Sequence, residues 1–383
     1  MDYYCSTKFT DMQVHVGSRL VYNCCKAYPE RISLDWLEAN PGKLFHTDTM
    51  LEDRKLMLDN KSCASCHHGC YKYEEQGLPS TRHDQENIFI NDIQSPLQNL
   101  QISLSTDCNL TCVYCSPEWS TGWQKDIDKH GNYKLEGIDI RNNNLHKLWA
   151  KVKQKSRSTE SRFFKLLLKE ISLAKKLKRI EVLGGEPLLN NQLDDIIAKG
   201  EGKKLDIISG LGVSKSRLLT YLKKYEGKNI SFKISGETTG KNFEFMRYGS
   251  KWQDFCEKVN MISDHGFDIE FISTISNLTI LDFPNFYNKF GNDYKININF
   301  LIGRPFLLPH VLDSKSKELF KSWIQQQNDT SILDPLRNIT DKDIQEVDKK
   351  NLLDYLTKFS NRRNLSLDFL PKNFKTWCGL SSN

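Results

Sequence analysis

From residue 98 to residue 303 the sequence alternates strand-like and helix-like stretches, and few folds satisfy that rhythm. "LQISLST" alternates apolar and polar residues as a half-buried strand does, and "ESRFFKLLLKEISLAKKL" then carries apolar residues at helical spacing. "RIEVLGG" is a short β-branched run ending in glycines, and "LDDIIAKG" is a helix stopped at Gly200. Strand "LDIISG" leads to helix "SKSRLLTYLKKY", with Ser214 as its N-cap, and then to strand "ISFKIS". Helix "WQDFCEKVNMISDHG" stops at Gly266, strand "DIEFISTIS" follows, and helix "FPNFYNKFG" runs into strand "KININFLIG". Six such repeats are the pattern of parallel βαβ units, either curled into a barrel or laid out as an open doubly wound sheet. In both, chemistry belongs at the C-terminal ends of the strands.

The 383 residues are a soft prior for two or three domains, and a 38% hydrophobic content suffices for a core. There is no charged-then-apolar leader and no run of about 18 apolar residues, so the expectation is a cytoplasmic protein with no membrane partner. The net charge of +6 is spread along the chain ("KKLK", "KGEGKK") rather than blocked, which reads as a solvated surface. It leaves a nucleic-acid partner possible without favouring one.

Cysteine usage is lopsided. Of 11 cysteines, Cys5, Cys24, Cys25, Cys63, Cys66, Cys70, Cys108, Cys112 and Cys115 precede residue 116, and only Cys256 and Cys378 follow. Reduced and clustered thiols are metal ligands or catalysts more often than disulfides. Cys256, spaced helically with Phe255 and Val259, reads as a small buried hydrophobe.

The loop after the first strand reads "DCNLTCVYCSPEW", a C-x3-C-x2-C spacing. A structural zinc site wants four protein ligands. A cubane iron–sulfur cluster has four irons, so three cysteines leave one iron for a non-protein ligand. No His or Cys follows Cys115 until His130, which weighs against zinc.

Cys108, Cys112 and Cys115, with Tyr114 before the last, resemble the signature of radical S-adenosylmethionine (SAM) enzymes. At the end of the next strand Gly184, Gly185, Glu186 and Pro187 resemble that family's second signature, where backbone and acidic side chain take up the amino group of SAM. The resemblance implies an α/β partial (βα)6 TIM-like barrel. It also implies a 4Fe–4S cluster whose open iron is chelated by SAM, and reductive cleavage of SAM to a 5′-deoxyadenosyl radical that abstracts hydrogen from a substrate. By the same resemblance Ser235 and Glu237 fill the polar places of a segment that ends the fourth strand. Arg247 resembles an arginine that holds the SAM carboxylate, against the alternative of a helix-surface arginine. Asn277 stands where the family often contacts the nucleoside, against the alternative of a turn asparagine. Gly210 and Gly212 mark a turn passing close to the site.

The N-terminal cysteines, with "CASC" and a following run of Glu75, Gly77, Ser80 and Arg82, resemble the twitch/SPASM module that carries auxiliary iron–sulfur clusters. In this chain it precedes the barrel. The resemblance implies one auxiliary cluster on Cys5, Cys24, Cys63 and Cys66, with Cys25 and Cys70 as substitutes. A zinc knuckle from Cys63, Cys66, Cys70 and His67 or His68 is the alternative.

The organisation expected is a Cys-rich module over 1–95, the barrel over 96–305 and a helical, peripheral C-terminal extension over 306–383. The polar stretch from Ser120 to Thr159 reads as a lid or substrate contact. The expected partners are SAM, a reductase such as flavodoxin or ferredoxin, and a peptide or small-molecule substrate. The rival from another class is a zinc-stabilised nucleic-acid-binding protein, which leaves the GGEP motif without a role.

Overall fold

The computed structural model describes residues 2–24, 26–67, 69–75, 80, 82, 88–140, 157–301, 304–327, 336 and 340–380. Along the chain come α1 (Thr7–Thr10), β1 (Asp11–His15), β2 (Leu20–Tyr22), β3 (Glu30–Arg31), α2 (Leu34–Ala39), α3 (Asp48–Leu58), α4 (Cys70–Glu74) and β4 (Asn99–Ser103). Next are α5 (Thr121–His130), α6 (Arg157–Leu173), β5 (Arg179–Leu183), α7 (Gln192–Lys199), β6 (Lys204–Ser209), α8 (Lys215–Tyr225) and β7 (Ile230–Ser235). They are followed by α9 (Gly240–Met246), α10 (Trp252–Asp264), β8 (Asp268–Ile275), α11 (Asn277–Ile280), α12 (Phe283–Phe290) and β9 (Lys295–Phe300). The last are α13 (Ser314–Gln325), α14 (Glu346–Arg363) and α15 (Lys372–Cys378).

All six strands expected from the alternation are present as β4 to β9, in an α/β fold of mostly parallel pairing. The caps behave as their chemistry requires. Ser214 accepts a hydrogen bond from the Arg217 N–H at the start of α8, and Gly266 takes φ +74° to end α10. No helix among the described residues is long and apolar enough to cross a membrane.

The chain packs as two compact units. The first comprises residues 1–105 and 152–207. Its β1 runs parallel to β4 in register from Asp11↔Asn99 to His15↔Ser103, and β2 and β3 add to β1 antiparallel. On the other side β5 and β6 continue parallel to β4. The Cys-rich stretch is therefore not set apart as a small module: it supplies three strands to this sheet, and packing does not divide at residue 95.

The second unit comprises residues 106–151 and 208–383. There β7, β8 and β9 are parallel, and one face of β8 is buried at every second residue. Phe243, Phe255, Phe271, Phe286 and Phe290 pack on it with ring centroids 4.5–6.5 Å apart. Each such ring is worth about 1.5–3 kcal/mol of burial. The helices after residue 305 are not peripheral. In α14, Leu352, Tyr355, Leu356 and Phe359 are all fully buried in this unit.

Candidate active site

The three-cysteine loop belongs to the second unit, and its backbone is pinned at every cysteine. The Cys108 carbonyl accepts from Gly122 N–H (3.2 Å) and the Thr121 hydroxyl (3.3 Å), both at the start of α5. The Cys112 carbonyl accepts from the indole N–H of Trp123 (2.9 Å) and from Cys115 N–H (2.9 Å). The Cys115 carbonyl accepts from the Arg304 guanidinium. The loop also lies against the end of α9, with Thr111 N–H on Tyr248 O and Val113 N–H on Met246 O. Gly249, at φ +104°, admits this approach, since a Cβ there would stand 3.1 Å from Asn109 O.

With the backbone satisfied, the thiols are what the loop has to offer. Burial pushes the Cys112 and Cys115 thiols up from their ordinary values, so they carry negative charge only against a strong counter-charge. Among the described residues no three thiol, imidazole or carboxylate groups close on a single point fit for one metal ion.

Beside the loop sits a buried polar knot. Glu237, two residues past β7, is fully buried and pairs with Arg247 Nη2 at 2.6 Å. The Tyr114 hydroxyl donates to Glu237 Oε1 (3.0 Å) and accepts from Arg247 Nη2 (2.6 Å). Arg247 follows α9 and is 3% exposed, so it is not a helix-surface residue. Burial alone would lower its pKa, but Glu237 and then Tyr114 outweigh that and hold it charged. Ser235 ends β7, and Gly236 between it and Glu237 leaves room for the Phe286 ring, which a Cβ would meet at 2.9 Å.

Asn277 is not a turn asparagine. It opens α11 fully buried, and its amide donates to Phe306 O and Val311 O at 2.9 Å each. Asn277 Oδ1, Thr238 Oγ1 and Arg247 Nε are buried without a hydrogen-bond partner among the described residues. Thr238 and Asn277 follow the C-terminal ends of β7 and β8. Open donors and acceptors there fit a polar ligand with carboxylate and hydroxyl groups.

The turn after β6 takes its positive φ at Leu211 (+56°) rather than at Gly210 or Gly212. The Lys258 ammonium holds Leu211 O at 3.1 Å, and Asn109 of the cysteine loop donates to Gly212 O at 3.2 Å.

The GGEP motif lies in the first unit. Gly184 takes φ +144°, and a Cβ on it would fall 2.6 Å from Ser105 O. Gly185 N–H donates to that same oxygen at 2.8 Å. Glu186 is buried and caps the short turn Pro187–Leu189 by accepting from Leu188 N–H (3.3 Å).

The N-terminal thiols are also in the first unit, where Cys5 and Cys66 pack on the buried cluster that contains Cys63. Cys63 is drawn down to about 6, first by its hydrogen bond with Cys66 and then, against burial, by the Lys8 ammonium. Cys5 has Cys24 and Cys70 as electrostatic neighbours. His67, one of the two imidazoles of the zinc-knuckle alternative, is exposed. Cys25, His68 and Gly77 lie outside the described residues, as do residues 141–156 of the expected lid. The part of that lid nearest the loop is the regular helix α5, capped by Ser120. Cys256 in α10 is half-buried rather than buried. The acidic residue of the "S-x-R" run is Glu74, not Glu75: Glu74 binds the Arg82 guanidinium and Ser80 (2.5 Å), while Glu75 is exposed.

No family model matches the chain. It is similar to proteins named GTP 3′,8-cyclase. The one from Clostridium acetobutylicum is 24% identical over 271 residues, covering 68% of this chain and 73% of the relative. The one from Aquifex aeolicus is 25% identical over 211 residues, covering 53% of this chain and 57% of the relative, so that relative is spanned for little more than half its length. Together with the three-cysteine loop and the GGEP turn, these matches support the resemblance to radical SAM enzymes.

Among solved structures, "Native anSMEcpe with bound AdoMet" gives a TM-score of 0.38 at 11% identity, covering 70% of this chain and 62% of that one. Streptococcus suis SuiB bound to precursor peptide SuiA gives 0.36 at 14%, covering 95% and 71%.

Sequence reasoning missed Arg304 and Tyr355, both of which hold the cysteine loop. Their only signal is "GRP" and one tyrosine of a helix, 189 or more residues from their partners.

Proposed function

We propose that this protein is a radical SAM enzyme that holds a 4Fe–4S cluster on Cys108, Cys112 and Cys115 and binds SAM at the iron they leave open. When bound, that pair supplies a 5′-deoxyadenosyl radical able to abstract hydrogen from a substrate. The observation that carries the reading is the loop itself: all three cysteine carbonyls are held by hydrogen bonds, which fixes the backbone that presents the three thiols.

The other residues have binding and orienting work. Arg247, with its free Nε, offers a fixed positive charge to the SAM carboxylate, while Glu237 and Tyr114 hold the guanidinium in place. Asn277 Oδ1 and Thr238 Oγ1 offer polar contacts to a nucleoside. In the first unit, the Gly184–Gly185 turn and the buried Glu186 form the second signature by themselves. Ser235 is a further polar contact at the end of β7.

The substrate is a peptide or a small molecule, and a reductase such as flavodoxin or ferredoxin supplies the electron. The relatives are named for GTP, a small molecule, which gives that substrate class a precedent among similar proteins. Cys5, Cys24, Cys63 and Cys66 hold an auxiliary cluster. The Cys63–Cys66 pair beside Lys8 supports this, because a buried cation favours thiolates.

The test is anaerobic incubation of iron-reconstituted protein with SAM and dithionite. Methionine and 5′-deoxyadenosine should form, and Cys112→Ala should abolish both. No 5′-deoxyadenosine from the iron-loaded wild type would sink the reading.

A further inference from the structure

Arg304 is buried, at 4% exposure, just before the short turn Pro305–Leu307. Its Nη1 donates to Val113 O at 2.8 Å and its Nη2 to Cys115 O, so one planar fork spans the carbonyls on both sides of Tyr114. The Tyr355 hydroxyl of α14 donates to the same Val113 carbonyl and accepts from Arg304 Nη1 at 3.3 Å. The guanidinium also lies 5.6 Å from the Trp123 ring centroid and 5.9 Å from that of Tyr355.

Arg304 has no bonded carboxylate. The other buried arginine beside this loop, Arg247, has Glu237 at 2.6 Å. Among the described residues no carboxylate forms an ion pair with Arg304, and its acidic neighbour Glu118, three residues past Cys115, acts on it only through space. A buried cation is costly unless negative groups complete its surroundings. Carbonyl dipoles, ring faces and an unbonded carboxylate do so only in part. Three thiolates carrying an iron–sulfur cluster would complete it, and the guanidinium is bonded directly to the backbone of the third.

We infer that Arg304 is a positioning and charge-compensating residue of the three-cysteine centre: its fork sets the direction of the Cys115 thiol, and its charge makes the bound cluster easier to reduce. The inference rests on the cluster reading above. Fixed charge and hydrogen bonding around the ligands are among the means by which a protein sets such a potential. The two parts of the role are separable by chemistry. Lysine keeps the charge but cannot fork two carbonyls, whereas methionine keeps the stem and loses the charge.

The experiment compares anaerobically purified wild type, Arg304→Lys, Arg304→Met and Tyr355→Phe. It reads iron content and the midpoint potential of the EPR signal that changes when SAM is added. The Met variant should shift the midpoint to more negative potential and retain less than half of the iron of this centre. The Lys variant should keep a midpoint near wild type while losing iron at least twofold, and Tyr355→Phe should leave the midpoint unchanged. Should the Met variant not fold, the Lys variant decides: full iron retention overturns the positioning role, and a shifted midpoint overturns the charge role. A Met variant indistinguishable from wild type overturns the inference while leaving the cluster reading intact. A wild type without iron at this loop overturns both.

Discussion

Glu74 and Glu75 stand side by side in the sequence and have opposite surroundings. The Glu74 carboxylate and the Arg82 guanidinium are each about 3% exposed and bonded to one another, with Ser80 and the Tyr4 carbonyl completing the group. Removing one partner of such a pair strands a buried charge, at about 3–5 kcal/mol. Glu74→Gln should therefore lower stability by about that amount in urea unfolding, whereas Glu75→Gln should stay within about 0.5 kcal/mol. Equal effects would contradict the assignment. The motif read from the sequence names Glu75 and not Glu74, because which of two adjacent glutamates turns inward depends on where the side chains point. The same holds for Arg247 and Asn277, whose residue types announced polar chemistry while their complete burial did not show in the sequence.

Among elements, the six repeated strands were legible because half-buried strands must alternate, and their helices because each presents one apolar face. Two things were not. The alternation in "MQVHV" marks β1, but pairing it with β4 joins residues 88 apart, as in the bond from Asn99 to Asp11, and local pattern is blind to that. The second is the service of α14. Asn351 exchanges two hydrogen bonds with Glu136, 215 residues away, and Arg362 reaches Asp126 of α5 at 2.9 Å.

Phe359 of α14 is fully buried, 6.0 Å from the ring of Trp123, whose indole N–H holds the Cys112 carbonyl. Phe359→Ala should cost about 3–5 kcal/mol through the cavity it leaves. Because the cavity opens against Trp123, the variant should also hold less iron at the cysteine loop than wild type. Lost stability with iron fully retained at that loop would show that α14 does not support it.

At the scale of the molecule, the thiols are divided between the two packing units. Cys108, Cys112 and Cys115 lie in the second, while Cys5, Cys24, Cys63, Cys66 and Cys70 lie in the first with the GGEP turn. The cysteine spacing and GGEP carried the family reading from sequence alone, since each is local. The ligand set of the N-terminal group was not legible, because several thiols compete and only the fold brings Cys5 and Cys66 onto the buried cluster that contains Cys63. The most direct test is the iron and sulfide content of anaerobically purified wild type beside the Cys108/Cys112/Cys115→Ala variant. About eight irons falling to about four is the result expected of a SAM-binding cubane and an auxiliary one. Zinc in place of iron, or a variant that keeps all its iron, would contradict the account.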